Sequence, residues 1–139
     1  MRSIQEVLRP YIEKASPIKD PKERLAFMIR DFTRMICLNP ELKVLIHETM
    51  SMRDKYFDEI RKEWKRRYLL LRDTIEGLQS SKKSSSLLEP SRSALLLLGM
   101  TTWITFWFDY SQQDEVDIIA ESAVDLVFCG LFGRKISVC

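Results

Sequence analysis

An all-α fold of about six helices is what this sequence predicts, and three observations carry it. Glycine and proline are scarce, four and five in 139 residues, which argues against a turn-rich all-β chain. Apolar residues recur at three- and four-residue spacing through most of the chain. The hydrophobic share, 45% of one domain's worth of length, fills a core without help from disulfides or metals.

The first apolar stripe, Ile4, Val7, Leu8, Tyr11 and Ile12, predicts an amphipathic helix with a kink or late start at Pro10. Pro17 and Pro21 bracket a turn. Pro21 suits the first position of a second helix, where its missing N–H is not needed. Leu25, Met28, Ile29, Phe32, Met35 and Ile36 keep helical spacing up to Leu38. At Asn39-Pro40-Glu41 one helix stops and a short one starts, with Asn39 as its cap. Leu42, Leu45, Ile46 and Met50 supply its apolar side.

The most regular stretch follows. Tyr56, Ile60, Trp64, Tyr68, Leu71, Ile75 and Leu78 form one narrow apolar face, and Arg61, Lys62, Lys65, Arg66, Arg67 and Arg72 occupy the others. Gly77 and the Ser/Lys-rich run 80–86 mark its end, and that run reads as a mobile loop by composition. Leu88 to Asp109 is apolar on nearly every side, softened by Thr101, Thr102 and Thr105. A last helix, Gln113 to Phe132, opens with Asp114, Glu115 and Asp117, where the macrodipole favours acids. Gly130 or Gly133 ends it. It carries two apolar lanes: Val116, Ile119, Ala120, Ala123 and Val127, then Ile118, Leu126 and Cys129 beside Ser122.

A net charge of +2 is too small to argue for nucleic acid or membrane, but it conceals a split. Residues 1–92 carry 20 bases against 14 acids, whereas residues 93–133 carry six acids and no base. Cys37, Cys129 and Cys139 are odd in number and unrelated in spacing, so they read as free thiols of a reducing compartment. The N-terminus lacks a signal-peptide core. The longest uncharged run, Ser93 to Phe108, falls short of the ~20 residues that cross a bilayer. A cytoplasmic protein is expected.

A helix that is apolar all round must be covered all round. The last two helices both exceed what the rest of one small domain can cover, which predicts a second surface buried by another chain. A two-fold homodimer is the expected solution, with four helices, two per subunit, across the interface. The alternative is that these two helices form the central hairpin of a monomeric bundle.

Gly99-x-x-x-Trp103-x-x-x-Trp107-Phe108, a polar break, then Asp114-Glu115-Val116-Asp117-Ile118-Ile119-Ala120 running to Leu126-Val127-Phe128-Cys129-Gly130-Leu131 resembles the C-terminal half of TetR-type transcriptional regulators. Upstream, Glu23-Arg24-Leu25, Leu38-Asn39-Pro40-Glu41-Leu42 and the helix from Tyr56 to Glu76 look like that family too. The resemblance spans residues 1–133 and implies an all-helical, effector-binding and dimerisation domain, its last two helices pairing across the dyad. In such a regulator, effector binding relays to a helix-turn-helix that reads DNA. No such segment is legible here, so residues 1–139 are expected to be one regulatory domain that reaches DNA only through a domain this chain lacks.

Candidate sites follow from the same residues. Phe32, Met35, Trp64, Tyr68, Trp103 and Trp107 are the large side chains expected to line a pocket for a small hydrophobic effector, and at helical spacing they also suit ordinary core. Leu97, Thr101, Ile104 and Phe108 on one helix, with Ile118, Ser122, Leu126 and Cys129 on the next, are the expected dimer face. The cluster Arg61 to Arg67 reads as a solvated helix face, with contact to the phosphates of an acyl-coenzyme A ligand as its functional alternative. His47 is the lone histidine and lacks the neighbours of a metal site or a catalytic base. Asp58, Glu59 and Glu63 read as helical ion pairs. No cofactor, metal, membrane contact or enzymatic activity is expected. The alternative to an effector domain is a helical protein-interaction or scaffolding subunit without a small ligand.

Overall fold

A computed structural model describes residues 4–44, 46, 55–81 and 89–132. Five α-helices account for most of them: α1 (Ile4–Ala15), α2 (Pro21–Leu38), α3 (Lys55–Ser81), α4 (Pro90–Trp107) and α5 (Val116–Phe132). Residues 41–44 are also helical, and a 3₁₀ turn, Gln113–Glu115, leads into α5. The run 82–88, His47 and Met50 lie outside the described residues.

α2 is the hub. Its first turn is capped by Asp20, whose carboxylate accepts from the Glu23 N–H, and Pro21 occupies the first helical position. Leu25, Met28, Ile29, Phe32, Thr33, Ile36 and Cys37 are all buried, a stripe wider than one face needs. That width lets α2 pack against α1, α3, α4 and α5 at once. α1 runs helically through Pro10 and lays Leu8, Tyr11, Ile12 and Ala15 against it. The Tyr11 hydroxyl donates to the Met28 carbonyl at 2.9 Å, fixing the two helices in register.

α3 continues past Gly77 to Ser81, so that glycine does not end it. At 27 residues it is about 40 Å long. Gly77 is where α2 begins to cross it, since a Cβ there would sit 3.4 Å from the Pro21 ring. Leu71, Thr74, Ile75 and Leu78 face the core, and the Thr74 hydroxyl accepts from Arg24 Nε of α2 at 2.7 Å. Asn39 was expected to cap the helix that follows it. Its side-chain amide instead donates back to the Met35 carbonyl at 2.7 Å, supplying a partner at the C-terminus of α2.

Glu89 caps α4 by accepting from the Ser91 N–H, and Pro90 begins the helix. The link from α4 to α5 is pinned to the far end of α2. Tyr110 Oη donates to the Ile36 carbonyl at 3.2 Å, and Gln113 Nε2 to the Cys37 carbonyl at 3.3 Å. α5 then packs along α2 with Val116, Ala120, Ala123 and Val124 buried. The small residues Ala120 and Ala123 bring the two helices close. Flanking them, Arg30 pairs with Glu121 and Arg34 with Asp117. The charge split along the sequence is thus met in part inside the chain, where these two acids face α2. α5 runs through Gly130 to Phe132, and Gly133 lies outside the described residues.

Candidate functional site

Two features stand out on this scaffold, one inside and one outside. The inner one is a small cavity of about 20 Å³. From α2 come Phe32, Met35 and Ile36, and from α3 come Trp64 and Arg67. Leu8, Thr102, Leu42 and Ile46 complete the wall. The space admits about one water molecule.

Arg67 is the unusual member. The residue is only 7% exposed, yet an arginine keeps its charge at any physiological pH. Its guanidinium carbon lies 3.3 Å from the centroid of the Phe32 ring, a cation–π stack. One terminal nitrogen donates to Thr101 Oγ1 at 3.1 Å. Nε is buried and has no hydrogen-bond partner. Burial lowers the pKa of Arg67, countered by the adjacent Tyr11 hydroxyl. Burial also pushes Tyr11 up to about 12, against the opposing pull of Arg67. Glu63, one turn earlier on α3, is buried as well, but its carboxylate lies 3.5 Å from Arg9 and 3.4 Å from Arg66. Among the described residues Arg67 makes no ion pair.

The outer feature is the exposed side of α4 and α5. Trp103 is 60% exposed and Trp107 55%, with Leu95 and Leu96 beside them on α4. Ile118, at 67%, and Leu126, at 64%, continue the apolar surface on α5. A groove of about 360 Å³ runs between the two helices, bounded by Met100, Trp107, Ile119, Ser122 and Leu126. The Cβ direction of Gly99 and of Gly130 meets nothing within 4 Å, so the backbone is bare at both points.

The expected sites separate accordingly. Phe32, Met35 and Trp64 do meet around one cavity, and Tyr68 is half-buried beside the core without lining it. Trp103 and Trp107 face outward on α4 and do not line that cavity. Leu97, Thr101, Ile104 and Phe108 are buried within the chain, Ile104 and Leu97 at the floor of grooves between α4 and α5. The physical reason is one of phase. A helix apolar all round gives no polar lane from which to tell in from out. Packing size decides it: Ala94, Thr101 and Thr105 are small enough for the inner side, and the indoles take the outer side, Trp103 with its ring 4.4 Å from that of Phe106. On α5, Ile118, Ser122, Leu126 and Cys129 all lie on the exposed side. Arg67, expected on the solvated basic face, is buried instead. Its signal was present in the spacing, because Trp64, Arg67, Leu71, Thr74 and Leu78 step by three, four, three and four along one stripe. Arg61, Lys62, Lys65 and Arg66 are exposed, as a solvated face requires. No group of His, Cys, Asp and Glu among the described residues is placed to hold a metal ion, and no described helix is long and apolar enough to cross a membrane.

Comparison with known proteins decides the family. The profile of the tetracyclin repressor-like C-terminal domain matches residues 19–131. The chain belongs to that family. A TetR/AcrR-family transcriptional regulator from Thermobifida fusca YX-ER1 shares the fold with a TM-score of 0.77 at 19% identity, over 94% of this chain and 70% of that one. AibR, solved in complex with isovaleryl coenzyme A and operator DNA, superposes with a TM-score of 0.67 at 18% identity, over 94% of this chain and 73% of that one. A sequence search of curated proteins gave no match. In the TetR-type domain described here, the inner cavity lies among α1, α2, α3 and α4, and the bare face belongs to the last two helices.

Proposed function

We propose that this chain is the effector-binding and dimerisation domain of a cytoplasmic TetR-type transcriptional regulator, a repressor by the habit of its family. It pairs as a homodimer through the outer faces of α4 and α5. It senses a small hydrophobic effector at the cavity between α2 and α3, and relays binding to a DNA-reading domain outside residues 1–139. The bare apolar face carries the reading. Trp103, Trp107, Ile118 and Leu126, each more than half exposed, form a continuous patch too hydrophobic to be left in water. Gly99 and Gly130 leave room for a partner helix to approach closely. Such a face suits a copy of itself, related by a two-fold axis.

Sedimentation velocity tests the assembly. A dimer is expected at micromolar concentration, and replacing Ile118 and Leu126 together by glutamate is expected to give a folded monomer with unchanged helical circular dichroism. A wild-type monomer removes the dimerisation half of the proposal. A second reading, a helical scaffold with no small ligand, is favoured by one observation: a cavity of about 20 Å³ is too small for an organic effector as it stands. The two readings part on whether any small amphiphile, free acid, alcohol or acyl-coenzyme A thioester, binds and raises the melting temperature.

A further inference from the structure

The effector reading leaves the chemistry of the ligand open, and Arg67 narrows it. Its charge is buried, cannot be lost by deprotonation, and is met by no carboxylate among the described residues. The one acid within a turn, Glu63, is taken up by Arg9 and Arg66. One face of the guanidinium is covered by Phe32, one terminal N–H is spent on Thr101, and the neutral Tyr11 hydroxyl oxygen lies beside it without supplying a counter-charge. The Nε–H is left without an acceptor while the residue forms part of the cavity wall. A buried cation without its anion, beside a cavity, is half of an ion pair.

We infer that the effector is an apolar monocarboxylate whose carboxylate pairs with Arg67 while its hydrocarbon body lies among Met35, Leu42, Ile46 and Trp64. This rests on the effector-domain reading and specifies its ligand. The single charge follows from the single cation: the remaining wall offers no other charge, only the Thr102 hydroxyl and the Trp64 indole N–H among apolar groups, so a phosphate or diphosphate would bring more negative charge than the site can meet. The carboxylate follows from shape. Nε–H and a neighbouring terminal N–H of a guanidinium form the parallel fork that two carboxylate oxygens accept together. The cavity must widen to take the body, and Met35, unbranched and half-buried, is the wall residue most able to swing aside.

Calorimetric titration and thermal shift of the full chain with butanoate, hexanoate, octanoate and decanoate, against the alcohols of equal length, test the inference. The acids are expected to bind and raise the melting temperature, with affinity growing with chain length until the cavity is filled. Each alcohol is expected to bind about 100-fold more weakly than its acid, the loss typical of leaving a buried charge unpaired. Arg67→Met, close in volume and uncharged, is expected to fold and to bring the acids down to the level of the alcohols. If R67M fails to fold, the acid-to-alcohol ratio on the wild-type chain still decides the matter. Equal binding of acids and alcohols, or undiminished binding of acids by a folded R67M, overturns the inference and leaves the effector reading standing. So does binding of octanoyl-coenzyme A without binding of octanoate. Failure of acids, alcohols and thioesters alike removes the effector reading with it.

Discussion

Tyr11 and Arg67 share one buried corner, and each sets the terms of the other. The Tyr11 hydroxyl spends its proton on the Met28 carbonyl and turns its oxygen toward the guanidinium. Burial outweighs the nearby positive charge, so its pKa is pushed up from 10.0 to about 12. The sign of the consequence is fixed by that direction. The folded state disfavours the phenolate, so the contribution of Tyr11 is complete below pH 10 and is lost as the pH climbs from 10 toward 12. Tyr11→Phe is therefore expected to cost about 1 kcal/mol in urea unfolding near neutrality, one buried hydrogen bond. Toward pH 12 the wild type is expected to lose about 2 to 3 kcal/mol relative to the variant and fall below it. A difference between the two proteins that stays constant across that window would mean that Tyr11 ionises freely in the fold. Cys37 is governed by the same effect, burial pushing its thiol up to about 11, which keeps it an unreactive thiol at neutral pH.

At the scale of the element, α4 shows most clearly what the sequence does and does not specify. Its existence and its excess of apolar residues are legible, because composition is a local property, whereas its start at Pro90, behind the Glu89 cap, lies past the Leu88 that the apolar run suggests. Its rotation about its own axis is not. Leu96, Leu97 and Leu98 point in three directions with one chemistry among them, exposed, buried and half-buried in turn. α2, with charged residues between its apolar positions, has no such ambiguity, and Phe32 and Met35 fall where periodicity puts them. Arg67 is obscured by its neighbours: four exposed bases precede it within six residues, and only its step from Trp64 and Leu71 separates it from them. A pair of alanine substitutions checks the phase of α4. Ile104→Ala, in the core, is expected to cost about 2 to 5 kcal/mol of unfolding free energy. Trp103→Ala is expected to leave the stability of the monomer within about 0.5 kcal/mol while weakening self-association. The reverse ranking would turn the helix by about 100°, one residue's step.

For the whole molecule, the split between a basic body and an acidic last helix suggests two ways for copies to meet. One sets the acidic helix of one copy against the basic body of another, an association held by opposite charge. The fold argues against it. Asp117 and Glu121, the acids of α5 nearest that body, are already engaged by Arg34 and Arg30 of the same chain. What α4 and α5 present outward is Trp103, Trp107, Ile118 and Leu126, four apolar side chains at the centre of the patch. Association through that face is driven by burial of apolar surface, which salt leaves intact or strengthens, whereas charge-driven association weakens as the Debye length shortens. The dimer dissociation constant, followed by sedimentation from low salt to half-molar sodium chloride, is accordingly expected to hold steady or tighten. The intrachain pairs, each with both partners substantially exposed, contribute little to fold stability and lose little over the same range. Weakening of the dimer by roughly tenfold or more, about 1.4 kcal/mol, would place charge and not the indole face at the centre of assembly. The face of α4 and α5 would then need another partner to cover it.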